Sequence, residues 1–468
     1  MDIEFHGAAR TVTGSQHLIT LNGAQFLLDC GLFQGRRKET YYRNQHFLYD
    51  PQDLAVVILS HAHTDHAGNL PNLIKRGYNG VIHATRATED MCQFMLRDSG
   101  RIQESDVRFV NKRRKRRGSP PIEPLYSLQD AEQALSHFEG TDYNQAFEVF
   151  PGVVAKFRDA GHILGSAITL LELEENGQTR QVVFSGDLGR KGKPILRDPI
   201  KVEIEGEIDA LIMESTYGNR THHDPEVAVK KLGKAVRHIS ETKGRLIIPS
   251  FAVGRTQDLI FWLHRMMDDG DVPRMRIFID SPLAVNITNI FREHHDIFDA
   301  ETLAFMGSDD HGGALRFPEI TYVSSVEESK SINDMDGPLI VISASGMCEA
   351  GRILHHLRNN IGDERNMVLI VSWQAPHTLG RRLVEKQPVV RIFGDEFKLR
   401  AKVETINGLS AHADRDELVE WARPLAKQTK NVFLVHGEPE PQAELSTRLR
   451  EAGFANVYAP ELHEAVVV

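Results

Sequence analysis

"LAVVILSHAHTDHAGNLP", residues 54–71, is the stretch on which the fold turns. Six apolar residues, Leu54 to Leu59, run directly into His61, His63, Asp65 and His66. An apolar run this short, closed by polar residues, reads as a central β-strand, which puts four ligand-type side chains in the loop at its C-terminal end. Positions 61 and 63 can face one way and 65 and 66 another, so one loop can serve two metal ions. Imidazole and carboxylate together suit zinc, and iron and manganese accept the same donors. Four ligands cannot close two tetrahedral sites. The missing ones are sought at other strand ends: His162 in "DAGHILGS", Asp187 in "VVFSGDLG" and His436 in "VFLVHGE", with Asp187 suited to bridge.

The rest of the chain limits the alternatives. At 468 residues it is too long for one ordinary core, and 41% hydrophobic with 26% charged residues is the balance of a globular protein. No apolar run reaches bilayer length and the start "MDIEFHGAAR" has no secretory layout, so a cytoplasmic protein without a membrane span is expected. Cys30, Cys92 and Cys348 are too few and too scattered for a disulfide framework or a cysteine-rich zinc site. A net charge of −10 argues against indiscriminate nucleic-acid binding, yet "NKRRKRRG" (111–118) puts six basic residues together from Lys112 to Arg117. That run reads equally as a solvated surface or a phosphate contact.

Strand patterns fall at 17–29, 54–60, 167–173 and 181–185, with a helix over 86–97. From about residue 210 buried-type strands alternate regularly with helices, the rhythm of a parallel, doubly wound sheet.

Taken together, "LLDCG" around Asp29, "SHAHTDH", "GHILGS", "SGDLG" and "VHGE" resemble the motifs of the metallo-β-lactamase superfamily. The resemblance implies an α/β fold: an αββα sandwich over 1–209 and 391–468, with an insert at 210–390 similar to the β-CASP domain of RNA-processing nucleases. It implies that His61, His63 and His162 hold one metal, that Asp65, His66 and His436 hold the other, that Asp187 is shared, and that Asp29 orients the ligand loop. "MESTYG" with Glu214 and "LSAHAD" with His412 extend the likeness, and a histidine at position 436 is similar to RNA-directed rather than DNA-directed members. The short bacterial and archaeal relatives of the polyadenylation-factor endonuclease fit best, since the chain starts on the metal-domain strand and ends some thirty residues after His436.

The implied activity is zinc-dependent hydrolysis of single-stranded RNA, endonucleolytic or 5′-to-3′ exonucleolytic. Two Zn2+ ions would lower the pKa of a shared water from 15.7 towards about 7 and supply a bridging hydroxide, with Asp65, Glu214 and His412 as catalytic residues. Glu214 would hold His412 as the acid for the departing ribose 3′ oxygen. By the same resemblance the loops carrying Arg255, Ser281, Ser343, Ser345 and Gly346 would bind RNA phosphates, with His377 and Arg381 as additional contacts. Three rivals stand beside this reading: a hydrolase of small phosphodiesters or thioesters, a non-catalytic RNA-binding subunit, and a di-iron redox enzyme. The sequence leaves a homodimer open.

Overall fold

The computed structural model describes residues 1–35, 37–222, 224–308, 313–375 and 377–468. The chain divides into two compact units. The first comprises 1–191, 198–221 and 412–468, and the second 192–197 and 222–411.

The first unit is built on two seven-stranded mixed sheets. In one, the apolar run becomes the strand Leu54–Ile58, paired in parallel with Ala24–Leu28 on one side and Val81–Thr85 on the other. The expected strand over 17–29 is in fact two, His17–Leu21 and Ala24–Leu28, folded as a hairpin. Asn22 and Gly23 between them take φ of 49° and 83°, the left-handed pair that a two-residue hairpin turn demands. In the other sheet, Gln178–Phe184, Ile208–Glu214 and Thr429–Val435 run parallel to one another. Ile208–Glu214 and Thr429–Val435 pair residue by residue although some 220 positions separate them.

Residues from both sheets meet in one apolar layer, including Ile19, Phe26 and Ile58 from the first and Leu171, Ile212 and Phe433 from the second. The outer face of the second sheet is covered by helices Arg415–Ala422 and Pro439–Glu451 through Leu418, Trp421, Leu445 and Leu449. Three helices lie on the side of the first sheet: Leu70–Lys75, Arg86–Arg116 and Leu128–Leu135. The layers are therefore αββα. The helix starting at Arg86 outruns its expected end at 97 by nineteen residues. Its apolar periodicity stops near Gly100, so periodicity alone could not follow it further.

The second unit holds a six-stranded, all-parallel sheet. In spatial order its strands are Ile320–Tyr322, Arg276–Ile279, Leu339–Ser343, Arg245–Pro249, Met367–Ile370 and Lys402–Thr405. Leu246, Ile247 and Ile248 are all fully buried, which requires cover on both faces and explains why these strands read as continuous apolar runs. All three cysteines are buried and unpaired. Among the described residues no helix is long and apolar enough to cross a membrane.

Candidate metal centre

All seven expected ligands and Glu214 lie in the first unit at or just beyond the C-terminal ends of its strands, and His412 lies in the same unit just before the helix Arg415–Ala422. Leaving Leu54–Ile58, the chain passes through His61 and His63 and turns into the short helix Thr64–Ala67, which carries Asp65 and His66. Backbone bonds fix this loop from outside: Cys30 N–H donates to the His66 carbonyl (2.8 Å), Ser15 N–H to that of Asp65 (2.8 Å) and Leu32 N–H to that of Thr64 (3.0 Å). The approach is so close that a Cβ at Gly31 would stand 1.7 Å from the Asp65 carbonyl oxygen, which is why "LLDCG" ends in glycine. In the same way, a Cβ at Gly189 would stand 1.9 Å from the Gly161 carbonyl oxygen, so the loops bearing Asp187 and His162 touch backbone to backbone.

The candidate ligand atoms fall into three overlapping groups: His61, His63 and His162 with Asp187; Asp65 and His66 with His436; and Asp187 and His436 with Glu214 and His412. His61 Nε2 and His162 Nε2 each lie 3.2 Å from His63 Nδ1, and 3.4 and 3.5 Å from Asp187 Oδ2. On the other side, His66 Nε2 lies 3.3 Å from Asp187 Oδ1, and His436 Nε2 lies 3.6 Å from Asp65 Oδ2. Donors about 2.0 to 2.2 Å from a tetrahedral ion are separated from each other by about 3.3 to 3.6 Å, so these spacings fit divalent ions. Buried polar atoms give an independent sign. His66 Nε2, His436 Nε2 and Asp187 Oδ1 are inaccessible and make no hydrogen bond among the described residues, a costly state unless something else binds them. The donor set suits a divalent metal.

Electrostatics agree with this use at His63, His162 and Asp187, whereas at His66 the carboxylates of Asp187 and Asp29 outweigh burial and raise the imidazole. Burial first, then the positive field of His61, holds His63 down to about 3, and burial with the neighbouring His412 lowers His162, so both present neutral lone pairs. Burial opposes ionisation of Asp187, but the surrounding imidazoles of His436, His66, His412 and His61 outweigh it and hold the carboxyl below its usual range. Asp29 stands behind the loop with a left-handed φ of 61°. One carboxylate oxygen accepts from the Ser60 N–H (2.8 Å); the other accepts from the hydroxyls of Ser60 and Ser15 (3.0 Å each) and lies 2.7 Å from His66 Nδ1. This fixes the ring so that Nε2 faces the cluster. Asp29→Asn is therefore expected to weaken metal binding about 10- to 100-fold with the fold intact. Competition with a chromophoric chelator measures it, and an unchanged affinity would reduce Asp29 to a loop brace.

Sequence reasoning missed several residues that shape this centre. His436 has a φ of 49°, which costs a bulky residue about 1 to 3 kcal/mol. It is held there by its N–H on the Ala8 carbonyl (2.7 Å) and by Thr216, whose hydroxyl contacts both the His436 carbonyl and Nδ1 at 3.0 Å. Thr216 follows Glu214 in "MESTYG", and only pairing of two distant strand ends reveals its part.

The metallo-beta-lactamase superfamily model matches residues 10–249. The chain belongs to that superfamily. Two further matches follow along this metallo-beta-lactamase-fold chain: a Beta-Casp domain at 256–383 and a Zn-dependent metallo-hydrolase RNA specificity domain at 396–460. It is similar to Ribonuclease TTHA0252 of Thermus thermophilus, 35% identical over 438 residues, which span 93% of this chain and 92% of that one. Transcription termination factor FttA of Methanocaldococcus jannaschii is 27% identical over 475 residues, covering 100% of this chain and 71% of its own. A crystal structure of a protein of unknown function from Enterococcus faecalis V583 shares the fold, with a TM-score of 0.55 at 14% identity over 100% of this chain and 99% of that one. Membership of the superfamily, with this donor cluster, makes the chain a metal-dependent hydrolase.

Beside the cluster, His412 Nδ1 lies 3.2 Å from both oxygens of Glu214 and 3.8 Å from Asp187 Oδ2. Burial disfavours the imidazolium, but Glu214 and then Asp187 more than offset this, and His412 is pushed up to about 10. Glu214 also accepts the Leu188 N–H (2.6 Å), tying the Glu214–His412 pair to the loop that carries Asp187.

In the second unit, the expected phosphate contacts sit at strand ends, and their polar groups are partly engaged. The Arg255 guanidinium donates to the Val371 carbonyl. Ser281 caps the helix Pro282–Glu293 by accepting the Ala284 N–H, and Ser345 accepts from Glu349 and Ala350, so each of these hydroxyls keeps its own proton to donate. Ser343 spends its proton on the Asp280 carbonyl (2.7 Å). Gly346 has the Phe251 ring against it, and its carbonyl accepts from Gln374 (2.9 Å). Arg381 pairs with Glu385, and His377 takes a left-handed φ of 71°. Two aromatic residues went unremarked in the sequence: Phe251 and Trp373, 43% and 62% exposed, just beyond the strands Arg245–Pro249 and Met367–Ile370. The signal was available, since an apolar ring directly after a buried strand end has no core to enter.

Proposed function

We propose that the protein is a ribonuclease that hydrolyses phosphodiester bonds of single-stranded RNA. The observation that carries this is the acid pair: a partly buried imidazole held by both oxygens of Glu214, beside a seven-ligand cluster. His61, His63 and His162 would hold one zinc ion, Asp65, His66 and His436 a second, and Asp187 would reach both through its two oxygens. Bound there, such a pair of ions supplies an activated water at neutral pH and neutralises charge on the phosphate.

The remaining work falls to the chain. Asp29 keeps the His66 ring in one orientation. His412, protonated over the neutral range, donates its proton to the departing ribose 3′ oxygen, leaving a 5′ phosphate on the downstream fragment. Glu214 holds the imidazole to that task and stabilises its charge. Arg255, Ser281, Ser345 and Gly346 belong to loops that would receive backbone phosphates through N–H and O–H donors, while Ser343 braces its loop. Phe251 and Trp373 offer open faces for stacking bases. RNA as the polymer is supported by the RNA specificity domain match at 396–460 and by the ribonuclease among the relatives.

The test incubates end-labelled RNA and DNA of the same sequence with metal-loaded protein. Cleavage of RNA in preference to DNA is expected, with internal cuts or stepwise 5′ shortening reporting the mode. Rapid turnover of a chromogenic diester without cleavage of either polymer would overturn the proposal in favour of a small-diester hydrolase.

A further inference from the structure

The basic run at 112–117 has no part in the chemistry above, yet the fold presents it in an organised way. It ends the helix Arg86–Arg116, whose buried residues all lie at or before Gly100. The sixteen residues after that extend about 24 Å along the axis without a fully buried side chain. A helix segment that buries so little is usually frayed, and here it is braced. Asn111 bonds both the N–H and the carbonyl of Ile122 (2.9 Å each), and Arg114 donates to the Pro120 carbonyl (2.6 Å), so the returning chain is laced along one side. The opposite side stays open, with Ile102 50% and Phe109 63% exposed and the Arg113 guanidinium 5.9 Å from the Phe109 ring centre.

Positive charge gathers at the same helix end. Lys112, Arg113, Lys115, Arg116 and Arg117 are exposed and have no ion pair among the described residues, in a chain whose net charge is −10. Earlier in the same helix Arg108 is matched by Glu104. Complementing the helix dipole would take one or two cations in the last turn, so that demand does not account for five unmatched ones.

We infer that this helix end is an RNA-docking surface outside the catalytic centre, on which the cations meet backbone phosphates and Phe109 offers its face to a base. The inference rests on the ribonuclease reading. It implies that long substrates gain affinity that short ones lack, and that the gain is strongly salt-dependent.

The test compares the wild type with Lys112→Gln/Arg113→Gln/Arg116→Gln/Arg117→Gln, changes that keep helix propensity and touch no ligand. On a 40-nucleotide unstructured RNA, KM is expected to rise about tenfold or more at moderate salt. The slope of log KM against log salt should flatten by roughly 2 to 3, because four cations no longer displace counterions from the phosphates. Turnover of a chromogenic small diester, metal content and the circular dichroism spectrum should not change. A second variant, Phe109→Ala, should raise KM on the 40-mer alone. If the wild type cleaves the 40-mer and the quadruple variant matches it in KM and salt slope, the docking surface is refuted while the ribonuclease reading stands. If the wild type cleaves no RNA, both fall. Loss of co-sedimentation with phosphatidylglycerol vesicles in the variant, with an unchanged slope on RNA, would assign the patch to a membrane and overturn the inference.

Discussion

Asp187→Ala is expected to lower hydrolysis by about 1,000-fold or more and to strip metal from both sides of the centre. One carboxylate touches His61 and His162 through Oδ2 and His66 and His436 through Oδ1, so among the described residues no other faces both groups. Loss of an outer partner of a ligand commonly costs 10- to 100-fold, and a ligand shared by two ions must cost more. Elemental analysis beside a rate measurement checks it. Full metal content with near-normal turnover would remove Asp187 from the centre. Because the substitution also removes a carboxylate that faces the buried His66, Asp187→Asn should be measured in parallel. It keeps the volume and isolates the charge.

The second large effect is expected at His412. If the seven proposed ligands hold the metal, His412→Ala should retain it and should lose about 100- to 10,000-fold in turnover on RNA, the usual worth of the general-acid role proposed for it. Leaving-group chemistry separates this role from a structural one. A p-nitrophenyl diester releases a stable anion that needs no proton, so the variant should recover most of its activity there. An equal loss on both substrates would mean that His412 shapes the site and does not deliver a proton. Glu214→Gln should repeat the pattern more mildly, because it removes the charge that raises His412 to about 10.

Much of this was legible in the sequence for physical reasons. Leu54–Ile58 is buried on nearly every residue, so an apolar run had to mark it, and chemistry had to follow at its end. Imidazoles and carboxylates in such a loop are expensive unless they bind something, and the pattern from His61 to His66 therefore stood out. What could not be read was long-range. The hairpin at Asn22 and Gly23 hid inside one apolar segment, and the outer half of the helix Arg86–Arg116 has no buried stripe to announce it. Thr216 supports His436 only because strands some 220 residues apart lie side by side. Nor could the sequence say that Ser343 spends its proton on a backbone carbonyl, a matter of rotamer rather than residue type.

That distant pairing has a consequence for the timing of synthesis. Asp65, His66 and Asp187 leave the ribosome early, whereas His412 and His436 follow the second unit in sequence order. At about 5 to 20 residues per second, the 220 positions between Ile208–Glu214 and its partner Thr429–Val435 take roughly 10 to 45 s to appear. For most of that interval the growing chain lacks both His412 and His436. The proposed activity would thus be withheld from the nascent chain until the whole second unit has been made.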